Sequence, residues 1–216
     1  MQVPQQVPYA FTEAGPNPCG ISGKSGQAQA PRLQLSVEFS LRDFRQPDFE
    51  TLWRIDQQCF APGISYSRVE LAEYLRRPRA FAVVAESSPC GQPVAPGTGL
   101  ADPSPAAAPA LMVGFIVAEA GSRSGGHIIT IDVLPKARKT GVGSRLLRVA
   151  EDRLRAAHCH FVILETAVDN RAALAFYKTH EYNVVKTIPR YYSDGVDALV
   201  LKKDLLSPSE PAKLPQ

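Results

Sequence analysis

The feature that most restricts how this chain can fold is a three-part run past its midpoint. An apolar stretch, IITIDVL (residues 128–134), leads through RKTGVGSRLL (138–147) into a segment of helical period, and FVIL (161–164) follows. From 143 to 157, Leu147, Ala150, Leu154 and Ala157 recur at helical spacing. Charges fill the other face, with Arg148 and Asp152 four apart as an expected pair. FVIL lacks alternation, as a strand buried on both faces does. Strand, helix and strand in so short a span imply a crossover between parallel neighbours in one sheet.

The rest of the pattern extends that unit. Further strands are expected at 35–41 (Leu35, Val37 and Phe39 on one side), 81–85, 111–118, 184–188 and 198–201. Helices are expected at 49–60, at 67–77 with Leu71, Tyr74 and Leu75 as an apolar stripe, and at 170–179. The fold class is therefore α/β with a mixed sheet. Three segments rich in Pro, Gly, Ala or Ser show no hydrophobic period: 1–31, 87–110 and 207–216. They are expected to be a disordered arm, a disordered insert between two strands, and a disordered tail around one domain at 32–206.

Composition removes several functions. The formal charge is only +3, with Lys and Arg scattered, so no nucleic-acid surface is expected. The longest apolar run, ALMVGFIVA, is about half the ~20 residues that a membrane span needs. Cys19, Cys59, Cys90 and Cys159 form no C-x-x-C pair, and the start lacks the marks of a signal peptide, so a cytoplasmic protein with reduced thiols is expected. His158-Cys159-His160 is too short, and too poor in further ligands at sensible spacing, to suggest a metal site.

Glycines at the mouth of a helix expose backbone where the dipole is positive and N–H groups lack partners, which suits an anion. Two phosphate loops do not fit. A Walker A loop needs Lys and then Ser or Thr after its last glycine, where Ser144-Arg145 stands, and a dinucleotide fingerprint needs a third glycine where Leu146 stands. What remains is Arg-x-x-Gly-x-Gly between an apolar strand and an amphipathic helix. With ILETAVDNRAALAFY (163–177) and RYYSDGVDALVLKKDL (190–205), it resembles the GNAT acetyltransferase superfamily, and within it the N-terminal acetyltransferase branch that includes bacterial ribosomal-protein-alanine acetyltransferases.

The resemblance implies a GNAT fold of about seven strands and about four helices, with acetyl-CoA bound between two splayed parallel strands. It implies that the backbone of Ile131, Asp132 and Val133 holds the pantetheine and polarises the thioester. It also implies that Arg138, Lys139, Thr140, Gly141, Val142, Gly143 and Ser144 wrap the diphosphate, and that Asn170 touches the cofactor. Glu165 falls at the family's general base and Tyr177 at its general acid. A carboxylate at the end of an apolar strand also faces a desolvation cost that favours a role over decoration. Asn170 and Tyr177, seven apart, are expected on one helical face. His127, where some relatives place an aromatic that shares the base role, is a minor candidate. Pro62, Tyr191 and Tyr192 match positions that line the acceptor groove.

The implied function is acetyl-CoA-dependent transfer to a protein N-terminus, a ribosomal protein among the candidate acceptors, with no metal, nucleic acid or membrane partner. A lysine or small-molecule amine in the same groove, or a non-catalytic acyl-CoA-binding module, are the alternatives. An α-amino group of pKa ~8 is easier to deprotonate than a lysine of ~10.4, which favours the first. Two departures stand out. CFAPGISYS (59–67) lacks the tryptophan that relatives often carry, and His180-Glu181-Tyr182 replaces a common Leu-Gly-Phe, losing a glycine suited to a left-handed cap.

Overall fold

The computed structural model describes residues 39–60, 64–87, 110–121, 123–193 and 195–206. The expected arm, insert and tail, the first part of the strand expected at 35–41, and Pro62 lie outside these residues. One seven-stranded sheet carries four helices, in the order β1 (Phe39–Asp43), α1 (Phe49–Cys59), α2 (Arg68–Arg76), β2 (Ala80–Ser87), β3 (Leu111–Ala120), β4 (Gly125–Val133), α3 (Val142–Ala156), β5 (Phe161–Ala167), α4 (Arg171–Thr179), β6 (Asn183–Ile188) and β7 (Ala198–Asp204). The strand order is β1-β2-β3-β4-β5-β7-β6, and β4–β5 is its parallel pair.

The helices follow their apolar spacing. Leu52, Ile55, Asp56 and Cys59 form the buried stripe of α1, at intervals of three and four. In α2, Ser67 and Glu70 close a reciprocal capping box that fixes its start, and Leu71 and Tyr74 are buried. One core lies between α3 and the sheet and gathers Leu146, Leu147, Ala150 and Leu154 with Ile128, Ile131 and Val133 of β4. A second lies under α1 and α2 on the other face, with Leu52, Ile55, Leu71, Phe115 and Ile129. Each fully buried leucine contributes about 2 kcal/mol. Gly126 lets α3 lie close on β4: a Cβ there would lie 2.7 Å from Leu154 Cδ1, and that side chain would have to shift.

Several expectations are corrected. β5 runs on to Ala167 because Glu165, Thr166 and Ala167 keep their pairing with β7, so Glu165 lies inside the strand. Its burial alternates through Glu165, so it is not a strand sealed on both faces. Ala157 lies past the end of α3 and is exposed. Asp152 bonds Arg155 at 2.7 Å, one turn further on, in place of Arg148. Ser87, expected in the insert, belongs to β2 and pairs with Leu111. Asn170 precedes α4 as its N-cap.

One irregularity shapes the middle of the sheet. Val117 pairs with Thr130 but the next residue, Ala118, pairs with Ile128, so Ile129 is an extra residue in β4. Such a bulge bends its strand and sharpens the twist. β4 then parts from β5: they pair only from Gly125↔Phe161 to His127↔Ile163. Beyond that point each keeps its outer partner, β3 or β7, and the inner edges diverge with their backbone N–H and C=O groups facing a cleft.

Candidate active site

The cleft ends at the loop from Arg138 to α3. Lys139 and Gly141 both adopt left-handed backbone, with φ of 62° and 92°. Glycine does so freely, and a Cβ on Gly141 would meet nothing within 4 Å, so its backbone, and not packing, requires the glycine. Thr140 Oγ1 donates to the Ala137 carbonyl at 2.7 Å and Arg138 Nε donates to the Val133 carbonyl at 3.0 Å, tying the loop to the end of β4. The first bond inside α3 runs from Arg145 N–H to the Gly141 carbonyl, and no side chain caps the helix. The amides of Val142, Gly143 and Ser144 thus have no acceptor among the described residues. They form an anion cradle beside left-handed residues, of the kind that holds phosphates. Ser144 Oγ is bonded to His180 Nε2 at 2.9 Å.

At the point where β4 and β5 separate, His127 Nε2 lies 2.8 Å from Glu165 Oε2. Their side chains are 23% and 12% exposed, so the pair is largely buried but still reached by solvent. The sequence ranks His127 low; the parallel register brings it to Glu165, 38 residues away.

Tyr177 lies on the buried side of α4, edge-on to Phe176 and tilted on Tyr182 at centroid distances of 5.2 and 5.5 Å. Asn170 Oδ1 accepts the Ala173 N–H at 3.1 Å, so this oxygen is committed to capping α4. Tyr192 is buried, so it is no exposed hairpin tyrosine, and its Oη has no hydrogen-bond partner among the described residues. Burial, followed by Tyr191, Glu165, Tyr177 and Asp169 around it, raises the Tyr192 phenol far above its ordinary value. Glu165 and Tyr177 thus both lie near enough for their charge to act on this phenol. Tyr191 stacks edge-to-face on Tyr192 at 5.1 Å and is half-buried.

Across from them stands the segment joining α1 and α2. Tyr66 N–H donates to Asp56 Oδ2 at 2.9 Å, and Tyr66 Oη reaches the carbonyl of the bulged Ile129 at 3.4 Å. Trp53 Nε1 and Gln57 Nε2 both donate to the Tyr66 carbonyl, at 3.2 and 2.9 Å. Asp56 lies close to Asp132, whose side chain is fully buried behind the strand. Burial pushes Asp56 up to about 7; burial and then the Asp56 charge raise Asp132 well above the carboxylate range. Sequence reasoning missed this pair, although an aspartate inside the apolar stripe of α1 is a visible signal. Cys59 and Cys159 are buried free thiols, and no group of three or more metal-ligating side chains gathers among the described residues. Nor is any helix among them long and apolar enough to cross a membrane.

The site is thus a mixed sheet split between two parallel strands, with an amide cradle at the following helix and a carboxylate in the split. The chain belongs to the acetyltransferase (GNAT) family, whose model matches residues 49–182. It is 33% identical over 100 residues to the N-alpha-acetyltransferase daf-31 of Caenorhabditis elegans, covering 44% of this chain and 55% of that protein. The chain spans about half the length of the curated relatives it matches first. Ard1 from Thermoplasma volcanium superposes with a TM-score of 0.62 at 25% identity, over 78% of this chain and 99% of that one. A chain of the NatC complex bound to Gag peptide and CoA shares the fold, with a TM-score of 0.61 at 22% identity over 78% and 99%.

Proposed function

We propose that this protein is an acetyl-CoA-dependent N-acetyltransferase that acetylates a protein N-terminal α-amino group by direct transfer in a ternary complex. The observation that carries the reading is the 2.8 Å contact of His127 with Glu165 at the opening of the cleft, beside the buried Tyr192 hydroxyl. The α-acetyltransferase relatives and the peptide and CoA in the NatC structure support it.

The residues present fit the cofactor: the amides of Val142, Gly143 and Ser144 would hold its diphosphate, with Arg138, Lys139, Thr140 and Gly141 shaping the loop. The inner edge of Ile131, Asp132 and Val133 would bind the pantetheine amides and the thioester carbonyl. Asn170, whose oxygen caps α4, would lie beside that arm. When bound, acetyl-CoA supplies an acetyl group on a thiol leaving group.

Glu165, its carboxylate oriented by His127, takes a proton from the acceptor ammonium, directly or through one water. The freed nitrogen lone pair forms the new amide bond as the carbon–sulfur bond breaks, and the nitrogen releases its second proton to solvent. Tyr177 gives its phenolic proton to the departing sulfur and regains one from solvent. Tyr191 and Tyr192 border the acceptor, and the Tyr192 hydroxyl is a donor for its backbone carbonyl. An α-ammonium of pKa ~8 lies within reach of a carboxylate base near neutral pH, whereas a lysine of ~10.4 is harder to deprotonate. Ribosomal proteins are among the acceptors to try, and the free thiols at Cys59 and Cys159 support a cytoplasmic setting.

The test uses acetyl-CoA with two peptide sets, one with free N-termini and one blocked there but carrying lysine. Product is expected from the first set. Product from the blocked set alone would move the acceptor to lysine, and no product from either would remove the enzymatic reading.

A further inference from the structure

The hydrogen bond between Ser144 and His180 joins the first turn of α3 to the end of α4, and the chemistry above makes no use of it. His180 is the C-cap of α4, and its ring stacks on Phe176 at 4.7 Å, so its orientation is fixed from its own helix. Burial lowers its pKa, with Glu151, Lys203, Arg148 and Glu181 as the charged groups around it. The imidazole is therefore neutral near pH 7, and one ring nitrogen carries the hydrogen.

Which nitrogen carries it decides what Ser144 can offer. A hydroxyl has one hydrogen to donate. If His180 Nε2 accepts, the Ser144 hydrogen is spent on the ring and the oxygen turns lone pairs toward the cradle. If Nε2 carries the hydrogen, it donates to Ser144 Oγ and the hydroxyl hydrogen is released. An anion held on the amides of Gly143 and Ser144 lies within reach of that hydroxyl and favours the second arrangement.

Resting on the reading of the cradle as the diphosphate site, we propose that His180 is a positioning residue for the cofactor: donation from its Nε2 to Ser144 Oγ aims the Ser144 hydroxyl at a phosphate oxygen. Cofactor binding then moves the imidazole hydrogen from Nδ1 to Nε2 by exchange with solvent, with no net proton uptake. A leucine, common at this place in relatives, could not act in this way.

CoA affinity of the full-length protein provides the test. His180→Leu and Ser144→Ala should each weaken CoA binding by about tenfold, the scale of one hydrogen bond to a charged group. The double variant should be no weaker than either single one, because both remove the same contact. His180→Gln, whose amide nitrogen can occupy the place of Nε2, should restore binding, and His180→Asn, with a shorter reach, should not. With acetyl-CoA the loss should appear as a raised KM and not a lowered kcat. Acetyl-pantetheine, which lacks the diphosphate, should bind all variants alike. The chain has four histidines, so the His180 nitrogen resonances can be assigned by their loss in His180→Leu. On addition of CoA, Nε2 should shift to the protonated position. Wild-type CoA affinity in both single variants, equal losses with acetyl-pantetheine, or an unmoved Nε2 would overturn the inference while leaving the active-site reading intact. Failure of the wild-type protein to bind CoA would overturn both.

Discussion

Two carboxylate sites lie on neighbouring strands in opposite circumstances. Glu165 faces an imidazole and keeps 12% of its side chain exposed, at the opening of a cleft. Asp132 faces another carboxylate, Asp56, and both are fully buried. The first is open to whatever enters the cleft. The second must keep a proton, because two adjacent charges without solvent are too costly. What separates the two sites is access to solvent and a basic partner, and only Glu165 has both.

Gly143→Arg should have the largest effect, placing a side chain over the amide cradle and abolishing CoA binding in a calorimetric titration. Wild-type affinity in that variant would remove the cradle from the site and leave Glu165 without a reaction to serve. Glu165→Gln should lower turnover by about 10²-fold or more with CoA binding nearly unchanged. Unchanged turnover would erase the contrast, making Glu165 as inert as the sealed pair.

The sealed pair should appear in stability. Its folded pKa values are raised, Asp56 to about 7, so the folded state holds more protons than the unfolded state between pH about 4 and about 7. Stability from this source is complete below the ordinary carboxylate range and falls as pH rises through the folded pKa of Asp56, about 7, and through the raised one of Asp132. The Asp56 part of the swing is on the order of 4 kcal/mol for one proton across about three pH units. Asp56→Asn should flatten the slope relative to wild type in unfolding midpoints measured from pH 4 to 8. Parallel curves would show that the pair holds no proton of its own.

The smallest effect lies outside both sites. Glu181 holds φ of 68°, in the left-handed region. Glu181→Gly should stabilise the fold by about 1 kcal/mol in chemical denaturation, and a loss would show that its backbone is not strained.

That strain was legible, because the sequence puts glutamate where relatives commonly have glycine. So were the helices, whose apolar spacing matches their buried stripes, and the loop glycines, whose period breaks between strand and helix. The limits of β5 were not legible, because pairing with β7, and not its own residues, carries the strand through Glu165 to Ala167. The contact of His127 with Glu165 depends on a parallel register, and that of Asp56 with Asp132 on how α1 lies against the sheet; neither leaves a local period. Asn170 was misplaced by one position because the same side chain serves a helix cap or a helix face.

The extra residue at Ile129 has an arithmetical result. Ahead of it, Gly126 and Ile128 lie against the α3 side, whereas beyond it Ile131 and Val133 do. Odd and even numbers exchange faces in mid-strand, so His127 and Ile131, four apart in one strand, point to opposite sides of the sheet. One strand thus gives His127 to one side of the sheet and Ile131 to the core under α3 because its residue count slips by one.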